Sequence, residues 1–368
     1  MKKNIKNRLI WAAVCLLVLP LAACNEDDGH PAPSNADIDW FARQDNPDDA
    51  LDHRLFEIYE ESGIGIFYSD KLGSQERGTY ADGHPYVFDY ILDLAYFIDG
   101  SGNEWGSQLS IDIRNPSAKR KGVSKAVDLL EQHVIPNLPE GLRPKGILLS
   151  DSLIYMPFAP QDGNERDIRS LRRAFRGMNT LGLAQLPQID AMDAVGQAEW
   201  AARALAACYT SDLMAWDPVR IREYYALSDK PGEENASYYG SMVMTDYDDD
   251  FNEYLPTWES FGFLYYSEDN GLSYSPWGDA SLVEQARASY NNFHDGLVPG
   301  AYIFYYNLPT QREDVEAFLA AAITTRLTGS DAWFEVRYDR TQYSVLYAKY
   351  EMMKKIVNDY LAVRGVNL

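Results

Sequence analysis

Apolar residues recur at helical spacing in several parts of the chain. Over Ala50 to Glu61, Leu51, Leu55, Ile58 and Tyr59 fall on one face, which predicts an amphipathic helix stopped by Ser62-Gly63. Val345 to Val363 carries Leu346, Tyr350, Met353, Ile356, Val357 and Tyr360 in the same rhythm, and Arg312 to Thr325 predicts a helix before it. Ala191 to Asp212, rich in Ala and free of Gly and Pro after Gly196, is the strongest helical stretch. Lys119 to Ile135 predicts one more, ended by Pro136. Short apolar runs read as strands: Ile64 to Tyr68, and Ile147 to Ser150 behind Pro144-Lys145-Gly146, with Ser152 to Met156 as its extension. Pro85 to Phe97 fits helix or strand. The Arg-rich run from Arg166 to Arg176 reads as a solvated loop or surface helix, and Gly177 to Leu183 returns to apolar material. From Asp229 to Gly300 the pattern breaks into Gly, Ser, Asp and aromatic residues, so long loops with short elements are expected there, a kind of segment that tends to be functional. No internal repeat is present. Helices bracketing a few short strands place the chain in the α+β class.

The N-terminus follows a different pattern. Lys2, Lys3, Lys6 and Arg8 precede an apolar stretch from Leu9 to Pro20, which falls short of the roughly 20 residues that cross a bilayer and reads as a cleaved signal. Small Ala22 and Ala23 put Cys24 directly after the cleavage point, where its thiol would be diacylated; two acyl chains anchor stably. The expected organisation is therefore a lipoprotein signal peptide over 1–23, a flexible acidic tether over 24–38 and a single domain over 39–368. The tether holds Gly29, Pro31, Pro33, Ser34 and Asn35 without periodicity.

Composition narrows the partners. The formal charge of -22 falls to -26 once the four basic signal residues are removed, which argues against nucleic acid and anionic lipid headgroups as targets. Of the three Cys, Cys15 leaves with the signal and Cys24 would carry lipid, so Cys208 has no partner for an intrachain disulfide and the fold must rest on its core. No cofactor motif is present: there is neither a Gly-x-Ser-x-Gly elbow nor a phosphate-binding Gly loop.

Three constellations invite chemistry. Asp246 to Glu253 is dense in oxygen ligands for calcium, but it lacks Gly at the sixth loop position and has Thr257 where a closing Glu belongs, so a solvated acidic loop is the plainer reading. The aromatic loops, with Tyr238, Tyr239, Tyr265, Tyr266, Tyr274, Trp277 and Tyr302 to Tyr306, suit stacking on sugar rings, contact with a transporter, or core packing. Cys208 has no His near it in sequence and reads as a buried small hydrophobe.

Behind the lipobox, four pieces in order resemble the Bacteroidota zinc-binding metallopeptidase lipoproteins, also described as substrate-import-associated zinc metallohydrolase lipoproteins. They are Ala50-Leu51-Asp52 through Ile64-Gly65-Ile66, Arg143 to Leu149, Arg312 to Phe318, and Tyr347 to Leu368 with Lys349, Tyr360 and Gly365-Val366-Asn367-Leu368. The acidic run Glu26-Asp27-Asp28 likewise resembles the signal that exports such lipoproteins to the outer face of the outer membrane. The resemblance implies a zincin-like metallopeptidase fold, with helices around a small sheet and long aromatic-rich loops. It also implies service to a TonB-dependent nutrient transporter and its surface lipoprotein, with a peptide or glycan as ligand.

The family's His-Glu-x-x-His, two zinc ligands and a general base on one helix, is missing. The matching stretch, Glu199 to Asp212, holds Arg203 and no histidine, and His30, His53, His84, His133 and His294 never fall within one helical turn of each other. Arg203, Glu313 and Asp314 are then what remains of a cleft, or Glu313 and Asp314 are a structural pair. No metal is expected. The expectation is a surface protein that binds rather than cuts; a zinc hydrolase with nonstandard ligands and a glycan-binding lipoprotein are the alternatives.

Overall fold

The computed structural model describes residues 38–92, 94, 108–112, 120–156, 170–244, 246–247, 253–254, 257–264 and 305–368. These residues divide into two units, a small one holding 38–40 and Ser74–Asp89 and a large one formed by Phe41–Gly73 and Tyr90–Leu368.

In the large unit the first helix, α1 (Ala50–Ser62), starts on the Asp49 side chain, which accepts from the Leu51 and Asp52 amides, and ends at Gly63 with φ +72°, a value that costs only glycine nothing. Strand β1 (Gly65–Phe67) follows at once. The chain later returns through helix α2 (Arg120–Leu129) to β5 (Gly146–Leu149), and β8 (Ala174–Arg176) and β9 (Thr180–Leu183) complete a four-stranded sheet of order β1-β5-β9-β8. The first three strands are parallel and β8 runs antiparallel at the edge. Every residue of β1, β5 and β9 is buried, which explains why they read as short apolar runs rather than as alternating ones.

Gly65 and Gly146 face each other across β1 and β5, and Phe41 lies against both: a Cβ on Gly65 would meet the Phe41 carbonyl oxygen at 2.5 Å, and one on Gly146 the Phe41 ring at 2.7 Å.

Helices cover this sheet. The short α3 (Leu186–Ile189) leads into α4 (Ala194–Trp216), capped by Asp193 and apolar on nearly all sides. Helix α4 packs along α6 (Gln311–Thr328), with Ala201, Ala204 and Ala207 on one and Ala317, Ala320 and Ala321 on the other buried in the same core. Helix α5 (Pro218–Ala226), the short α7 (Ala332–Arg337) and the C-terminal α8 (Ser344–Arg364) close the core, α8 lying on α5 and α6.

Several expectations change in detail. The segment Ser152–Met156 (β6) does not extend β5; the chain turns at Ser150-Asp151 and β6 joins an antiparallel sheet between β4 (Gln108–Asp112) and β7 (Ser170–Arg172). The Arg-rich run is neither loop nor helix over its described part: β7 and β8 are strands, with Arg173 buried between them. Charge suggested solvent, but the backbone pairing of Ala174 with Leu183 decides the conformation. The helix before Pro136 ends earlier, in a π turn over Leu130–Val134 where the Ile135 amide reaches Leu130, followed by a 3-10 turn over Ile135–Asn137. Proline supplies no amide and clashes with the preceding turn, so the regular ladder gives way before it.

Between α5 and α6 the described pieces are small: β10 (Met242–Met244) pairs with β13 (Tyr305–Asn307), β11 (Asp246–Tyr247) with β12 (Glu253–Tyr254), and a 3-10 turn covers Trp258–Phe261. Trp258, Phe263 and Leu308 form a minor core with Tyr238 and Phe261 packed on it.

In the small unit, Ser74–Asp89 is a ribbon made of most of β2 (Lys71–Thr79) and of β3 (Pro85–Ile91), so the ambiguous stretch is a strand as far as Ile91. Its turn is closed by the Tyr80 amide on the His84 carbonyl at 2.8 Å and the Gly83 amide on Tyr80 at 2.9 Å.

Candidate functional site

The stretch of α4 that matches the zinc helix can be read residue by residue. Glu199 is almost fully buried, and its carboxylate accepts from both guanidinium nitrogens of Arg337, at 2.6 and 3.3 Å, where α7 ends. The Trp333 ring lies 5.3 Å from the same guanidinium. Trp200 turns inward and donates to the Ala184 carbonyl at 2.9 Å. Arg203, one turn beyond Glu199, is half-buried. Cationic side chains hold both carboxylates of this segment, Arg337 on Glu199 and Arg364 on Asp212 at 2.5 Å, and Arg203 adds a further cation, a donor set unsuited to a zinc ion, which takes neutral imidazoles and anionic groups. Among the described residues no three His, Cys, Asp or Glu side chains come together as a metal site.

The acidic pair at the start of α6 splits into two roles. Thr310 caps the helix, and Glu313 closes a capping box: its carboxylate accepts from the Thr310 amide and hydroxyl, each at 2.9 Å. Asp314, one residue on, points into the interior. Lys349 of α8 reaches it with its ammonium 2.8 Å from Oδ1 and 2.8 Å from Oδ2, and both side chains are sealed from solvent. The Tyr239 hydroxyl donates to Oδ2 at 2.7 Å, and the ammonium also donates to Ser228 Oγ at 3.0 Å.

Four rings surround the ammonium: Phe263 at 4.1 Å, Phe318 at 5.0 Å, Tyr224 at 5.3 Å and Tyr239 at 5.4 Å. Their faces supply the electron-rich contact that part of the lost hydration requires. Burial pulls Lys349 down to about 8 against the opposing pull of Asp314, and burial pushes Asp314 up against the pull of Lys349 and Tyr239. Burial and the Asp314 charge keep the phenols of Tyr224 and Tyr239 neutral. The Tyr224 hydroxyl feels that charge but finds no well-aligned hydrogen bond.

The cluster ties α5, α6, α8 and the segments around Ser228, Tyr239 and Phe263 to one point. An ion pair closed to solvent on every side holds structure; it offers a substrate no access.

Other candidates fall as follows. Tyr239 is part of this interior cluster rather than of a binding platform, because its hydroxyl is needed by Asp314; Tyr238 packs 5.1 Å from the Phe261 ring. Tyr265, Tyr266, Tyr274, Trp277 and Tyr302 lie outside the described residues, as do Cys24, His30, His294 and 248–252 of the acidic loop. His53 meets Asp45 at 2.6 Å on α1, which raises its pKa, and His84 sits in the ribbon turn. Cys208 is buried on α4 and its thiol is pushed up to about 12 by burial, so it packs as an apolar group.

In the sequence Lys349 stands only as part of a matching piece, and nothing there marks Ser228 or Phe263. One signal was available for the lysine: it stands three residues after Leu346 and four before Met353, on the apolar stripe of α8, where a charge needs a partner.

No known family matches this chain, nor does any curated protein or any solved structure.

Proposed function

We propose that the protein is a lipoprotein of the outer-membrane surface, held by a diacylated Cys24, whose metallopeptidase-like body is non-catalytic and serves a TonB-dependent import system as an accessory or binding component. The zincin-like form of the fold is part of the same reading. It draws support from a small mixed sheet whose last strand is followed by the long α4. The observation that carries the non-catalytic assignment is the state of α4: Glu199 is neutralised by Arg337, and Arg203 stands where a second ligand would be needed.

Two measurements test it. Mass spectrometry of the mature protein should find a diacylglyceryl group on the Cys24 thiol, lost in Cys24→Ala. Zinc quantification should find no stoichiometric metal and peptide assays no cleavage. Metal retained at one per chain, with hydrolysis that a chelator abolishes, would overturn the non-catalytic assignment and favour a hydrolase with nonstandard ligands.

A further inference from the structure

Two hydroxyls beside the Lys349–Asp314 pair meet no protein partner. Tyr224 is wholly enclosed, and its hydroxyl oxygen makes no aligned hydrogen bond. Tyr225, the next residue of α5, leaves part of its ring at the surface but turns its oxygen inward, where it is sealed and equally unbonded. Both phenols are pushed up, by burial first and by the Asp314 charge second, so both oxygens lie close enough to feel that carboxylate. The Tyr225 ring stands 5.5 Å from Tyr239, edge to face, and 6.1 Å from Tyr224. Three phenols therefore gather around Asp314, and two of them have a proton with nowhere to go.

A buried hydroxyl without a hydrogen bond forfeits what bulk water gave it, and that loss exceeds the entropy needed to immobilise one water molecule. Two such groups on adjacent residues call for a shared partner that is not a side chain. Charge narrows its chemistry. Lys349 and Asp314 already balance, so an added cation would face the ammonium and an added anion the carboxylate. The Tyr239 oxygen gives its own proton to Asp314 at 2.7 Å and keeps lone pairs that can accept another. What fits is small, neutral, and both donor and acceptor. We propose that one water molecule is built into the interior between Tyr224, Tyr225 and Tyr239, taking the two unpaired protons and giving one to the Tyr239 oxygen. About three hydrogen bonds is the usual complement of a buried water. The site extends the polar cluster from the ion pair to the half-exposed ring of Tyr225, in the order Tyr225, water, Tyr239, Asp314, Lys349. It does not depend on the lipoprotein reading.

Removing a hydroxyl while keeping its ring tells the cases apart. If the Tyr225 oxygen is unpaired, Tyr225→Phe removes a penalty and the urea midpoint stays or rises; if it holds the water, the midpoint falls. The expected result is a fall for Tyr225→Phe and for Tyr224→Phe, and a fall for the double variant that is smaller than their sum, because the two hydroxyls share one molecule. In crystals of the wild-type protein a single ordered peak should stand within hydrogen-bond distance of all three phenol oxygens, and it should be lost in the double variant. Midpoints that stay or rise in both single variants overturn the proposal, as does a wild-type density map with no peak among the three oxygens. Additive falls give each hydroxyl its own partner and overturn the shared site. An anomalous peak at that place in crystals grown with rubidium chloride assigns it to a cation and overturns the water.

Discussion

Lys349 and Asp314, 35 residues apart in the sequence and on the separate helices α8 and α6, meet 2.8 Å apart with no solvent at either side chain. Taking both charges out of water is costly, and burial drives the two pKa values against the attraction within the pair, down for the lysine and up for the aspartate. Breaking the pair is worse than never having had it. Lys349→Met leaves a buried carboxylate with only Tyr239 as donor and should lower stability by about 3–5 kcal/mol. The double change Lys349→Met with Asp314→Leu should recover most of the loss. Urea unfolding of the three variants checks this; a double variant as unstable as the single one would show that the site needs the charges themselves.

Glu313 and Asp314 are adjacent, yet they answer to different physics. If Glu313 serves the helix start, Thr310→Ala should cost about 1 kcal/mol, the ordinary worth of an N-cap. Glu313→Ala should add little to that loss, because the two side chains complete one capping box. Urea midpoints of the two single variants and the double one decide it. Additive losses would show that Glu313 works elsewhere.

What could be read in advance follows from how each element is stabilised. Helices α1, α6 and α8 carry an apolar stripe with a glycine just past the end, and both signals are local, so the sequence marks them to within a few residues. Strands β1, β5 and β9 are buried on both faces and stand out as short apolar runs between breakers. Strand β8 was hidden because arginines dominate its neighbourhood, and its conformation comes from an edge partner, β9, that no local pattern announces. The Lys349 cluster was hidden for a similar reason: its members lie at 224, 228, 239, 263, 314, 318 and 349, and only the folded chain brings them together. The absence of histidine from α4 is a fact of the sequence itself, whereas the grip of Arg337 on Glu199 needs the folded chain.

Asp331 supplies a pH dependence with a definite sign. Burial pushes its carboxyl up, but Lys354 at 2.7 Å and the Tyr350 hydroxyl at 2.8 Å more than reverse this and hold it below the ordinary carboxylate value. A group whose folded pKa is depressed stabilises the fold above its unfolded pKa, near 3.8, and loses that contribution as pH falls through the lower folded value. Asp331→Asn should therefore reduce the loss of stability seen on acidification below about pH 4. Urea midpoints of the two proteins between neutral pH and pH 3 check it: the curves should be furthest apart at neutral pH and converge in acid. Parallel curves would remove Asp331 from the acid response.

The contact of Phe41 with the glycine pair at the head of the sheet gives the last prediction. A methyl on Gly146 would enter the Phe41 ring, at 2.7 Å from Cδ1 and 2.9 Å from Cε1, while Gly146 is paired with Gly65 on one side and Thr180 on the other. Strand β5 is central and cannot retreat, so the strain falls on the ring. Gly146→Ala should cost about 1–3 kcal/mol through overpacking. Removing the ring should relieve that strain: in a Phe41→Ala background the same Gly146→Ala change should cost markedly less, and the two losses should be less than additive. Gly65→Ala behaves differently, because its new methyl would meet the Phe41 carbonyl oxygen at 2.5 Å, a backbone atom that Phe41→Ala leaves in place. Rescue of Gly146→Ala without rescue of Gly65→Ala, measured by thermal or urea unfolding, is the expected result; rescue of neither would mean that Phe41 is not what requires glycine at the head of β5.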